Sequence, residues 1–149
     1  NGYIYPINNL LKIGEKIIFS KSSLTRFYLS NQWSDFEVGA VWGYGEESSI
    51  FFSVKEVAEC IPLFEMSIEP IQSKEDSKIE IFINDKLVKD FRPHPKIRTY
   101  YFDLDGTIFN RSNTLKIKNN FFATPQSLNI GNDNRLLSIR LYYFKLSCK

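Results

Sequence analysis

Ile79-Glu-Ile-Phe-Ile83-Asn-Asp85-Lys-Leu-Val88 decides the fold class. Ile79, Ile81 and Ile83 recur at every second position, with Glu80 and Phe82 between them. Only an extended chain places alternate residues on one face, so this reads as a strand with one buried side. Asn84-Asp85 then breaks the pattern. Both residue types tolerate positive φ, and Leu87-Val88 resumes the apolar run, which together signal a tight hairpin.

The same alternation extends outward. Ser48 to Val54 sets Ile50, Phe52 and Val54 against Ser49, Phe51 and Ser53, and Leu63 to Ile68 turns Phe64, Met66 and Ile68 inward. Ile97 to Asp103 is a strand, and Thr114 to Lys118 is another with Leu115 and Ile117 inward. In Leu136 to Leu146, Ser138, Arg140 and Tyr142 alternate with Ile139, Leu141 and Tyr143. Upstream, Lys16 to Phe19 and Thr25 to Leu29 read as strands, joined by a turn at Lys21 to Ser23. Glu69 to Lys78 and Phe91 to Pro95 are loops. Leu10-Leu11 has room for a helical turn that Gly14 stops, and Val54 to Cys60 for two turns ended by Pro62. About nine strands with at most one short helix describe an all-β fold, a single antiparallel β-sandwich or jelly roll occupying 1–149 as one domain.

Bulk properties agree. The chain has 149 residues, 43% of them hydrophobic, including 13 Phe and 8 Tyr, which suit pleated surfaces. A net charge of +2 is too small for a nucleic-acid binder. No apolar run approaches the ~18 residues of a membrane span, and the N-terminus lacks a signal pattern. The chain starts at Asn1 and its single methionine is Met66, as expected of a piece excised or processed from a longer protein. Cys60 and Cys148 can form one disulfide, but two isolated cysteines are more often small buried hydrophobes, which is the expectation here. With one histidine, His94, they make no zinc site, and no metal or cofactor is expected.

Both tryptophans lie in Leu29-Ser-Asn-Gln-Trp33-Ser-Asp-Phe-Glu37-Val-Gly-Ala-Val-Trp42-Gly-Tyr-Gly45. Two indoles and a carboxylate in a glycine-rich bend can stack on a sugar ring, since indoles present broad apolar planes with a donor at the edge. They can equally be buried anchors where two sheets meet, and for each tryptophan that reading is favoured.

Tyr101-Phe-Asp-Leu-Asp-Gly-Thr-Ile-Phe109 matches the first motif of haloacid-dehalogenase-type phosphatases. That family would make Asp103 the nucleophile and Asp105 the acid/base, with magnesium between them. The context argues otherwise. The motif belongs at the end of a strand in a parallel αβ sheet, and the 149 − 103 = 46 residues after Asp103 hold no amphipathic helix or partner motif. A strand running into an Asp105-Gly106 turn accounts for the same letters.

Read end to end, the sequence resembles a little-characterised bacterial β-sandwich domain. It is found at the C-terminal end of envelope phosphoglycerol transferases of the sulfatase type and beside some polysaccharide glycosyltransferases. Ile13-Gly-Glu-Lys-Ile-Ile-Phe-Ser20 is similar to its opening strand, and Tyr28-Leu29, Trp33-Ser34, Glu37 and Trp42 fall in its next signature places. Thr124-Pro125-Gln-Ser-Leu128 and Asp133-Asn-Arg135-Leu-Leu137-Ser-Ile139-Arg-Leu141 match its ending, and Ile83-Asn84-Asp85 its hairpin. Gln32 stands where it has Gly, and Gly39-Ala40 where it has a Trp-Gly pair.

The resemblance implies a jelly-roll, carbohydrate-module-like accessory domain without catalytic residues, with a structural or protein-interaction sandwich lacking any ligand as the alternative. A bacterial envelope or periplasmic location is favoured over a cytoplasmic one, and the residues do not fix it. The domain's expected partners are a saccharide or an adjacent catalytic domain of the same parent chain, with no nucleic acid and no membrane segment. Trp33, Glu37, Trp42 and Tyr44 are the candidate ligand contacts; Tyr28, Ser34, Pro125, Asp133 and Arg135 are structural signature residues. An acid away from water needs a counter-charge, so Glu37 is expected to pair with Arg135. Asp133, after Gly131-Asn132, reads as a turn former. Lys116, Lys118, Arg140 and Lys145 read as an outward, solvated set that can also face anionic glycans.

Overall fold

The computed structural model describes residues 10–19, 24–37, 39–54 and 60–149. Two antiparallel sheets pack face to face. One combines β1 (Lys16–Ile18), β2 (Val41–Tyr44), β4 (Pro62–Pro70), β7 (Arg98–Asp103) and β9 (Leu137–Cys148) in the order β1-β9-β4-β7, with β2 also paired to β9. The other runs β3-β8-β5-β6, from β3 (Glu47–Ser53), β5 (Ile79–Ile83), β6 (Lys86–Phe91) and β8 (Ser112–Asn119). The expected all-β sandwich is what forms, with two short 3-10 helices and no α-helix among the described residues.

Alternation places the core. Ile79, Ile81, Ile83, Leu115, Ile117 and Ile50 are wholly buried from one sheet, facing Phe64, Met66, Ile68, Ile139, Leu141 and Phe144 of the other. Phe64 and Phe144 stack with ring centroids 5.7 Å apart at 3°, and Tyr28 meets Phe144 edge-on at 5.6 Å. The hairpin forms where Asn84 and Asp85 take φ of 50° and 68°, joining β5 to β6.

Several expectations are corrected. Thr25 to Leu29 is no strand: Leu24–Tyr28 is a 3-10 helix. Leu29 N–H closes the turn on the Arg26 carbonyl at 3.0 Å, a short-range bond that an extended strand does not make, and Tyr28 and Leu29 are both buried, at 5% and 9% exposure. Gly14, at φ 86°, sits in a turn in which Glu15 N–H bonds the Lys12 carbonyl at 3.1 Å, not at the end of a helix. The presumed turn at Lys21–Ser23 and most of the presumed helix at Val54–Cys60 lie outside the described residues.

Asp105-Gly106 does not close a hairpin, because β7 and β8 belong to opposite sheets. Asp105 instead caps a 3-10 turn, Gly106–Ile108, by accepting from Thr107 N–H at 3.0 Å. That backbone bond holds its carboxyl below the usual range. In β9 the alternation slips at a bulge opposite Ser67/Ile68. Leu141 and Phe144 both point inward, and Tyr143 lies outward with Tyr142.

The cysteines are not buried hydrophobes: Cys60 and Cys148 form a disulfide across 88 residues. Cys148 ends β9 opposite Pro62, close enough to the chain's turn at Cys60 to be bridged, with Cα atoms 5.5 Å apart.

Candidate functional site

The tryptophan stretch becomes a loop leading into β2, and it separates the two indoles. Trp33 is 2% exposed, and its Nε1–H donates to the Ser49 carbonyl at 2.8 Å. A ring so enclosed cannot meet a sugar, which removes Trp33 from the candidate contacts. It packs under Gly43, where a Cβ would stand 2.6 Å from Ser48 Oγ and 3.4 Å from the Trp33 ring. A glycine is what allows β2 to pass that close.

Trp42 is half-buried on the outer face of the five-stranded sheet, directly opposite Arg140 of β9. Ser34 fixes its backbone: Ser34 N–H donates to the Trp42 carbonyl at 2.8 Å, and Trp42 N–H donates to Ser34 Oγ at 2.9 Å. Arg26 Nη1 in turn holds the Ser34 carbonyl at 2.8 Å. The 3-10 turn missed in the sequence therefore braces the site.

Beside Trp42, Glu37 and Ala40 exchange both backbone bonds, at 2.9 and 3.1 Å, across a turn in which Gly39 has φ 69°. That turn aims Glu37 at Arg135, and the expected pair forms with Nη2 to Oε1 at 2.7 Å. Asp133 does more than make a turn. Its Oδ1 accepts the Arg135 backbone N–H at 2.9 Å, and its two oxygens take Arg135 Nε and Nη2 at 2.6–3.0 Å. Hydrogen bonding to Asp133 first, then to Glu37 and Tyr44, raises the Arg135 pKa against the opposing effect of partial burial. The same bonds hold Asp133 below the usual carboxylate range. The stabilisation from that lowered pKa is present above the ordinary carboxylate pKa and is lost as pH falls through the lowered value.

These groups border an open groove of about 440 Å³ lined by Glu37, Trp42, Glu69, Pro125, Asp133 and Arg135. Pro125 is buried at its wall and anchors the turn through Ile130 N–H to its carbonyl at 3.0 Å. Tyr44 is half-buried on β2, its backbone tied to Gln32 at 2.9 Å. Tyr28 stands apart from the groove. Its hydroxyl bonds the Leu10 carbonyl at 3.2 Å, and burial, with Glu15 nearby, pushes its pKa to about 12. Sequence reasoning missed Glu69, which sits opposite Arg140 and accepts from Tyr142 at 3.2 Å. Only the register of β4 against β9 brings it there.

The architecture resembles that of carbohydrate-binding modules. The CBM36-1 domain of a multidomain xylanase from the hindgut metagenome of Trinervitermes trinervoides superposes with TM-score 0.52 at 13% identity, over 91% of this chain and 98% of that one. A carbohydrate-binding module CBM36 in complex with calcium and xylotriose gives TM-score 0.48 at 10% identity, over 89% and 99%. CsCBM6-3 from Clostridium stercorarium in complex with cellobiose gives 0.48 at 6%, over 80% and 85%. No family model matches the chain, and no curated protein matches it. Among the described residues, no three His, Cys, Asp or Glu side chains are grouped to hold a metal ion, and no helix is long and apolar enough to cross a membrane.

Asp103 and Asp105 do not form a reaction centre of the phosphatase kind. Asp103 ends a strand of an antiparallel sheet, opposite Leu63, and pairs with Lys149 at 3.0 Å. Asp105 is occupied as a cap.

The Glu37–Arg135 pair is testable. Both side chains are about a third exposed (37% and 35%), so solvent screens the attraction. A double-mutant cycle on Glu37→Gln and Arg135→Gln, read by denaturant unfolding, is expected to give a coupling of about 0.5–1 kcal/mol. Additive single changes would contradict the pairing.

Proposed function

We propose that this chain is a non-catalytic, saccharide-binding accessory domain of a bacterial cell-envelope glycan-modifying or glycosyltransferase protein. One observation carries the binding reading. Trp42 offers a partly exposed indole at an open groove whose carboxylates, Glu37 and Asp133, are already held by Arg135. A flat apolar plane beside fixed acceptors suits a pyranose, which stacks through its C–H face and donates hydroxyls at its rim. Because Arg135 orients the carboxylates beforehand, little ordering remains to oppose binding.

The kinship of fold with a xylanase's carbohydrate-binding module supports the reading, as does the resemblance of both signature segments to the envelope-associated domain. The disulfide supports a location on the oxidising side of a membrane, where such bonds persist. An adjacent catalytic domain of the parent chain supplies the chemistry in this reading.

A glycan array followed by calorimetry tests it. Trp42→Ala is expected to weaken the best array ligand at least about tenfold, which corresponds to about 1.4 kcal/mol, with the circular dichroism spectrum unchanged. Silence across the array, or a Trp42→Ala variant that binds like the wild type, would leave a ligand-free scaffold as the better account.

A further inference from the structure

We propose that the saccharide is acidic, a uronate-bearing chain laid along the outer face of β9, with carboxylates met by Arg140 at one end and by Lys16 and Lys145 at the other. This rests on the saccharide reading above and adds the chemical class of the ligand and the direction in which it runs.

The four basic residues read together in the sequence separate in the structure. Lys116 lies on the four-stranded sheet and is matched by Glu47 at 3.6 Å and Asp85 at 3.8 Å. Lys118 is on the same strand, opposite Glu47 and Glu80. Arg140 and Lys145 lie on the other sheet, and among the described residues neither has a carboxylate within 4.0 Å.

Arg140 is placed between two rings, its guanidinium carbon 5.5 Å from the centre of Trp42 and 5.4 Å from that of Tyr142. Stacking of this kind holds a guanidinium in position without neutralising it. Arg135, a few residues away, is by contrast saturated by two carboxylates.

The second cationic point is a juxtaposition of like charges. Lys16 of β1 stands directly opposite Lys145 of β9, an arrangement that weakens a sheet unless an anion lies between or over the pair. Lys16 Nζ rests 4.3 Å above the Tyr143 ring.

Two acids of β4 face the same way, Glu69 opposite Arg140 and Glu65 opposite Lys145. Each is engaged by a phenol, Tyr142 to Glu69 at 3.2 Å and Tyr143 to Glu65 at 2.6 Å. Along β9 and its partners β1 and β4, three cations therefore stand against two acids that accept from tyrosines, and the groove beyond Trp42 adds Arg135 with Glu37 and Asp133. From Arg140 to Lys145 the strand rises about 15 Å, a span for an oligosaccharide rather than a single sugar. The rings of Trp42, Tyr142 and Tyr143 line it, and each uronate can offer the planar carboxylate that a guanidinium binds through two parallel bonds.

Calorimetry on the intact chain tests this with oligogalacturonate and with mannuronate–guluronate oligomers, each beside its own methyl ester, which keeps the skeleton and removes the charge. One of the acids is expected to bind at least tenfold more tightly than its ester, and to weaken in high salt. Arg140→Gln is expected to erase that difference. Lys16→Gln combined with Lys145→Gln is expected to reduce it without disturbing Trp42. An ester that binds as well as its acid overturns the proposal and leaves saccharide binding standing, as does a neutral xylo- or cello-oligosaccharide that alone binds and is lost in Trp42→Ala. A sulfated oligosaccharide bound more tightly than every uronate overturns the choice of carboxylate. No binding by any glycan overturns both readings together.

Discussion

Trp33→Ala is expected to lower the free energy of unfolding by about 3–5 kcal/mol, the range for deleting a fully enclosed aromatic. The indole is 2% exposed and shares its surroundings with Ser48, Gly43 and Ser138, all buried. Backbone strands surround it and cannot collapse into the space left behind. The Ser49 carbonyl would lose the indole donor but keep Ser30 N–H at 3.1 Å, so the cavity accounts for most of the cost. Trp42→Ala, by contrast, should cost clearly less than Trp33→Ala, because its ring is only partly buried. Denaturant titration of both variants separates two residues that the sequence presents as a pair. A Trp33→Ala midpoint close to that of the wild type would mean the ring is not the anchor described here.

Removing the disulfide is the second large effect. Cys60 and Cys148 close a loop with a separation of 88, for which chain-entropy reasoning gives about 4–5 kcal/mol. The Cys60→Ser, Cys148→Ser variant is therefore expected to melt roughly 10 °C lower or more. Backbone bonds beside the bridge persist, with Lys149 N–H on the Ile61 carbonyl at 2.8 Å, so the native topology should survive. The measurement is a calorimetric melt of oxidised wild type against the variant. Coincident melting curves would show that the bridge adds nothing to the folded state's advantage.

How much of this was legible in the sequence depends on how local the cause is. Strands β5 and β8 were readable because each alternates without interruption, and β3 because Ile50 and Phe52 do, and the positive φ values of Asn84 and Asp85 follow from residue type. The Glu37–Arg135 contact was expected on the ground that a buried acid needs a counter-charge; the pair forms, but with both side chains about a third exposed, 37% and 35%. What stayed hidden depends on tertiary placement. Leu24–Tyr28 closes as a 3-10 turn that carries Tyr28 into the core beside Leu29. The slip in β9 requires knowing that β4 lies beside it. The disulfide was missed because proximity across 88 positions is a property of the folded chain, which spacing alone does not reveal. The Asp-Leu-Asp motif misleads for the opposite reason: the letters from Tyr101 to Phe109 fit, while the sheet around them runs antiparallel.

The place of β9 has a consequence for how the molecule is made. It is the last strand in sequence, yet it touches β1, β2 and β4 and sits inside its sheet. The four-stranded layer is complete by Asn119; of the strands that cover its isoleucine-rich side, β4 and β7 precede that point while β9 follows, so Ile139, Leu141 and Phe144 join the core last. Assembly through such distant pairings is slow and open to aggregation in the meantime. Shortening the chain by its final strand should therefore abolish folding altogether, because no earlier segment can close the gap.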